Sequence, residues 1–251
     1  MKSPQRLKEI YYPESRFGGF TRVDGTLPFF SRVQALVRPE MVALDVGCGR
    51  GAAADRFDRN PWERCRVLKG RCQKVIGIDV DSVGDSNPLV DEFRRIEGER
   101  WPVDSASVDL LVSDAVLEHV PNPDQFFAEC RRVAKPGAYL CIRTPNRWSY
   151  VSVAAALVPN RLHGHVVEKV QPGGRTAKDV FPTYYRANTL RSLSRLMIRH
   201  GFDGYAYRHI GEPTYLQFSR ALYAMGVVAH RWLPGFTWPW IYLFAQHNGK
   251  R

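Results

Sequence analysis

Within seven residues the chain places Asp45, Gly47, Cys48, Gly49 and Gly51, a group suited to holding a charged ligand against bare backbone. Glycine turns the chain sharply and leaves no Cβ between a loop and what it binds. The apolar run Met41–Val46 precedes the loop and Ala52–Phe57 can start a helix, so the loop sits where a strand hands over to a helix N-terminus. In a doubly wound α/β sheet that place is the crevice at the carboxyl ends of the strands, where nucleotides bind. Two readings compete there. Gly47, Gly49 and Ala52 fit the dinucleotide pattern G-x-G-x-x-G/A. Asp45 favours the other, because a carboxylate two residues ahead of the first glycine crowds a pyrophosphate with like charge and suits an ammonium or sulfonium.

Asp79 closes the apolar run Lys74–Ile78, where an acidic side chain can accept hydrogen bonds from both ribose hydroxyls. It lies 28 residues beyond Gly51, against roughly 20 for the usual crossover, so the charged insertion Asn60–Gln73 lengthens this unit. Histidine is the side-chain type suited to proton transfer near neutral pH, which makes His119, His163 and His165 the candidates for a general base.

These residues need elements to hold them. A helix is expected over Leu27–Val37, ending before Pro39. Leu89–Ile96 reads as a short helix or turn, and Val108–Asp114 as a strand buried on both faces. Pro121–Asp124 turns the chain into an amphipathic helix, Gln125–Val133, before a strand over Ala138–Ile142. Further on, Asn188 and Thr189 can cap a helix running to His200. A strand from Phe202 to about His209, a helical stretch Thr214–Trp232 and a last strand Ile241–Gln246 complete the chain.

The D-x-G-x-G-x-G arrangement from Asp45 to Gly51 resembles motif I of the class I S-adenosylmethionine-dependent methyltransferases. Gly77–Ile78–Asp79–Val80–Asp81 resembles that family's second motif, and Glu97–Gly98 matches the segment carrying an adenine-contacting acid, usually aspartate. Leu117–Glu118–His119–Val120 and Lys135–Pro136–Gly137 stand in the order and spacing of small-molecule and lipid-modifying members. The resemblance implies an α/β fold: a doubly wound, mostly parallel seven-stranded Rossmann-like sheet, with an antiparallel last strand and a helical or loop insertion after the fifth. It implies a single domain over 1–251, with an N-terminal cap (1–40), a cofactor-binding core (41–146), a substrate-side insertion (147–185) and the C-terminal part of the sheet (186–251). S-adenosylmethionine is the implied cofactor, held by Asp45, Gly47, Cys48, Gly49, Gly51, Asp79, Val80, Glu97, Gly98 and Ser113, with no metal.

That cofactor carries its methyl on a positively charged sulfur, so transfer is an in-line displacement governed by alignment. A hydroxyl acceptor needs a base, the role open to His119, His163 or His165. Ser113–Asp114–Ala115–Val116 lacks the Asn/Asp-Pro-Pro-aromatic element of enzymes that methylate exocyclic amino groups of bases. That disfavours methylation of such amino groups, and the resemblance implies a small, lipid-linked or glycan acceptor, methylated at oxygen. The alternatives are a methyltransferase-like binding module without turnover, an RNA-directed enzyme, or a nicotinamide-dependent enzyme on the same loop.

Of the net charge of +11, residues 160–251 carry +9, from 13 Lys and Arg against 4 Asp and Glu. A basic surface points to an acidic partner: phosphate, anionic lipid or an acidic glycan. No nucleic-acid signature of interleaved aromatic and basic residues stands out. The five cysteines form no C-x-x-C pair, which fits a reducing compartment. The polar start Met1–Glu9 has no signal-peptide core, and no run of about 18 apolar residues suggests a spanning helix. The expected location is cytoplasmic, with the aromatic stretch Leu222–Trp240 able to rest on the inner membrane face. Oligomeric state is left open.

Overall fold

Short segments, most of them apolar, become the strands of one seven-stranded sheet in a computed structural model that describes residues 4–58, 60–149, 152 and 182–249. The strands are β1 (Val42–Val46), β2 (Lys74–Asp79), β3 (Glu92–Arg95), β4 (Val108–Asp114), β5 (Ala134–Pro145), β6 (Phe202–His209) and β7 (Trp240–His247). Their order is β3-β2-β1-β4-β5-β7-β6. The first five pair in parallel, while β7 runs antiparallel to both β5 and β6. The sheet is the mixed, Rossmann-like one expected.

Side-chain alternation along each strand divides the core into two layers. Leu44, Ile78, Leu111 and Ile142 face α3 (Pro123–Val133) and α4 (Leu190–Arg199), which contribute Phe127, Cys130, Leu193 and Met197. Ala43, Val75, Leu110, Val112 and Cys141 face α2 (Leu27–Leu36) through Phe29, Phe30 and Val33. A smaller third cluster joins α1 (Pro4–Tyr11) to α5 (Arg220–Trp232), with Leu7 and Tyr12 against Tyr223 and Val227. Caps set the helix starts: Thr189 accepts from Ser192 N, and Ser219 from Leu222 N. Asn188, the alternative cap, instead donates to Thr144 Oγ1 and to the Pro145 carbonyl.

Three elements differ from expectation. Ala52–Phe57 makes a single 3-10 turn, Ala54–Arg56, and not an α-helix. Pro61 forces Asn60 out of helical geometry (φ −131°, ψ 73°), leaving too few residues to offset the cost of nucleation. Leu89–Ile96 contains β3 and no helix; Lys74 and Arg94 bind Glu92 at 2.5 and 2.6 Å, so this charged edge strand has no apolar alternation to read. The helix expected from Thr214 starts only at Arg220, after a separate 3-10 turn at Thr214–Leu216. Most of the expected insertion 147–185, with His163 and His165, lies outside the described residues. Among the described residues no helix is long and apolar enough to cross a membrane.

Candidate active site

At the end of β1 the chain enters left-handed backbone three times, with φ of +73° at Gly47, +49° at Gly49 and +69° at Gly51. The loop is tied down where it crosses β2. Gly47 N and Cys48 N donate to the Ile78 carbonyl at 2.8 and 3.2 Å, and Asn87 Nδ2 donates to the Cys48 and Gly49 carbonyls. A Cβ on Gly47 would stand 2.4 Å from Val116 Cγ2, and one on Gly51 would stand 2.2 Å from Asn87 Oδ1. Gly47→Ala therefore meets both strain and collision, with an expected loss of about 1–3 kcal/mol visible in thermal unfolding.

The loop forms one wall of a cavity of about 670 Å³. Strand alternation explains which side chains reach it: Asp45, Val75, Val112, Asp114 and Arg143 all point to the α2 face of the sheet. Further lining comes from Asp24–Thr26 ahead of α2, from Arg56, Trp62, Glu63 and Arg66 after the loop, and from Glu212, Thr214, Tyr215 and Trp240.

Most charges in the wall are paired. Arg143 donates from Nε and Nη2 to the two oxygens of Asp114 at 2.5 and 2.8 Å, and from Nη1 to the Gly25 carbonyl and Thr26 Oγ1. Its guanidinium also lies 4.7 Å from the centre of the Trp240 ring. Arg66 adds a further bond to Asp114 at 2.7 Å. Burial alone would raise the Asp114 carboxyl, yet Arg143 and Arg66 hold it below the usual carboxylate range. Arg56 clasps Glu63 through Nε and Nη2, and Lys8 sits 3.3 Å from Glu212. Asp45 is a half-buried carboxylate left out of these pairs. It has no hydrogen-bond partner among the described residues, and burial, with the like charges of Asp114 and Asp79, pushes its carboxyl up to about 7. An unpaired, half-buried carboxylate facing a cavity is a site waiting for a cation.

The structure brings Asp45, Gly47, Cys48, Gly49 and Gly51 together on this wall. Asp79 stands behind the loop, its Oδ2 accepting from Gly49 N at 2.9 Å and its Oδ1 from Asp81 N at 3.0 Å. Val80, Glu97 and Gly98 are exposed beyond the wall. Ser113 is buried on the opposite face of β4 from Val112, its Oγ without a partner among the described residues. His119 also stands off the wall, with Nδ1 2.9 Å from the Pro182 carbonyl and Nε2 3.8 Å from Glu118. His163 and His165 lie outside the described residues.

Sequence reasoning missed the Asp114–Arg143–Arg66 knot and the Asn87 clasp. One signal was present: Arg143 interrupts the apolar run Leu140–Ile142, and a charge at the carboxyl end of a buried strand needs a buried partner. Asn87 carries no such signal, because Asn before Pro is an ordinary turn pair.

Residues 44–142 match the family model described as a methyltransferase domain. A probable S-adenosylmethionine-dependent methyltransferase of Mycolicibacterium smegmatis is 29% identical over 169 residues, covering 63% of this chain and 59% of that protein. A ubiquinone biosynthesis O-methyltransferase of Hahella chejuensis is 34% identical over 118 residues, covering 43% and 45%. The chain spans about half the length of the curated relatives it matches. Among solved structures, geranyl diphosphate C-methyltransferase from Streptomyces coelicolor A3(2) superposes with a TM-score of 0.51 at 15% identity, covering 88% of this chain and 77% of that one. A putative methyltransferase of Haloferax volcanii, in complex with the Trm112 methyltransferase activator, superposes with a TM-score of 0.53 at 13% identity, covering 96% and 93%. Sheet order, glycine cradle and the match over the β1–β5 region converge on one family: this chain carries a class I S-adenosylmethionine-dependent methyltransferase domain.

Proposed function

We propose that the protein is a methyltransferase that moves the methyl group of S-adenosylmethionine to a hydroxyl oxygen of a small acceptor, lipid-linked or glycan. The observation that carries this reading is the unpartnered Asp45 carboxylate beside three left-handed glycines. When bound, the cofactor supplies a methyl group on a sulfonium, already activated for displacement. Asp45 offers a negative charge to the ammonium or sulfonium end, and the glycine loop offers bare backbone at close range. Each Asp79 oxygen already accepts one backbone N–H and keeps a lone pair for a ribose hydroxyl. Val80, Glu97, Gly98 and Ser113 are assigned to the adenosine side on the strength of the motif match. The chain acts as one unit in this reading, with 1–40 covering the core 41–146, and with 147–185 and 186–251 completing the acceptor side.

A hydroxyl acceptor must lose its proton as the new C–O bond forms. A carbonyl can only accept, so His119 donates from Nδ1 to the Pro182 oxygen, which fixes the orientation of its ring. His119→Asn is expected to lower kcat about 10²- to 10⁴-fold with S-adenosylhomocysteine affinity unchanged. If kcat is also unchanged, His119 has no part in proton transfer. His163 and His165 are the other candidates. The O-methyltransferase name of the Hahella relative supports oxygen as the acceptor atom. The overall test is transfer of labelled methyl from S-adenosylmethionine into lipid and glycan extracts. Label in an alkali-stable ether supports the reading; tight cofactor binding with no labelled product indicates a binding module.

A further inference from the structure

α5 is apolar on both sides. Its inner face packs Tyr223 and Val227 against Leu7 and Tyr12. Its outer face carries Leu222, Met225, Val228 and Trp232, spaced three and four apart as one helix stripe. Met225 is 64% exposed, Val228 55% and Trp232 84%. Phe218 before the helix and Phe236 after it are also exposed. A continuous exposed stripe of this kind marks a contact surface and not random exposure.

Charge decides what the surface meets. From Pro213 to Arg251 the chain has no Asp or Glu, but it has Arg220, Arg231, Lys250 and Arg251. Two copies joined through this stripe would bring two purely cationic segments together, which disfavours self-association. An anionic lipid surface satisfies both features at once, the stripe entering the headgroup boundary and Arg220, exposed at the start of the helix, meeting phosphate. Trp232 at the end of the stripe suits that interface.

We infer that α5 lies flat on an anionic membrane, its Leu222–Met225–Val228–Trp232 stripe inserted at the headgroup level. Glu212, Thr214 and Tyr215, immediately before the helix, belong to the cavity wall, so docking holds that wall beside the bilayer. A lipid-linked acceptor would then reach the site without leaving the membrane. This last step rests on the methyltransferase reading; membrane docking itself does not.

The test is sedimentation of the intact protein with phosphatidylcholine vesicles, with and without phosphatidylglycerol, alongside quenching of tryptophan emission by brominated lipid tails. The protein is expected to sediment with the anionic vesicles, less so at high salt, and to be quenched there. Met225→Glu with Trp232→Glu should weaken partitioning at least about tenfold with unchanged melting temperature and S-adenosylhomocysteine affinity, and Trp232→Phe should remove most of the quenching. Three results overturn the inference: no binding to anionic vesicles, equal binding by parent and double variant, or a dimer that Trp232→Glu dissolves without any vesicle binding. Failure of S-adenosylhomocysteine binding with vesicle binding intact would instead sink the methyltransferase reading alone.

Discussion

Asp45→Asn is expected to weaken S-adenosylhomocysteine binding about 10- to 100-fold at pH 8, the worth of one charged hydrogen bond. The same change should raise the melting temperature of the unliganded protein at that pH. Both follow from a carboxyl whose folded value, about 7, lies above its ordinary 3.8. Between those two values the folded protein holds a proton that the unfolded chain has released, so stability falls as pH rises from about 4 to 7 and stays low above it. Asparagine removes that penalty. Binding has the opposite sense: a cationic ligand needs the ionised form, so affinity should drop by up to about tenfold per unit as pH falls below 7, and level off above it. Calorimetric titrations from pH 5.5 to 8.5 on parent and variant check both signs. A flat profile in the parent would remove Asp45 from the cofactor's cationic end.

Arg143→Ala should cost about 3–5 kcal/mol of folding stability, because it strips a buried carboxylate of its principal partner. Four hydrogen bonds and the stacking on Trp240 end at that one guanidinium, and they join β5, β4, the turn ahead of α2 and β7. Arg66 alone remains to Asp114, from a short 3-10 segment rather than from the sheet. Arg143→Lys restores the charge but not the fork, so it should recover only part of the loss. Denaturant titration gives both numbers. A loss below about 1 kcal/mol for the alanine variant would mean that the knot is largely hydrated, like a surface pair.

Legibility followed burial. β1, β2 and β4 are apolar on both faces, and their runs stop at Asp45–Gly47, Asp79 and Asp114, so they could be read directly along with the glycine loop that follows β1. The ending was also readable, since Gly201 and the aromatic run at Ile241–Phe244 bound β6 and β7. β3 was not, because an edge strand whose residues form cross-strand ion pairs has the composition of a loop. The segment after the glycine loop misled for a different reason. Three alanines favour a helix locally, but Pro61 and the Arg56–Glu63 clasp fold the chain back within one turn. The site divided the same way. Local spacing disclosed Asp45 and the glycines, whereas Arg66, Arg143 and Glu212 arrive from three separate stretches and meet only once the sheet register is set.

The most direct measurement is calorimetric titration of the intact protein at pH 8 with S-adenosylhomocysteine and, separately, with NADH, repeated on Asp45→Ala. The expected outcome is measurable binding of the methylthio-nucleoside, none of the dinucleotide, and a marked loss of the former in the variant. Preference for NADH, or identical S-adenosylhomocysteine affinity with and without the Asp45 carboxylate, would contradict the cationic-ligand site on which the proposed chemistry stands.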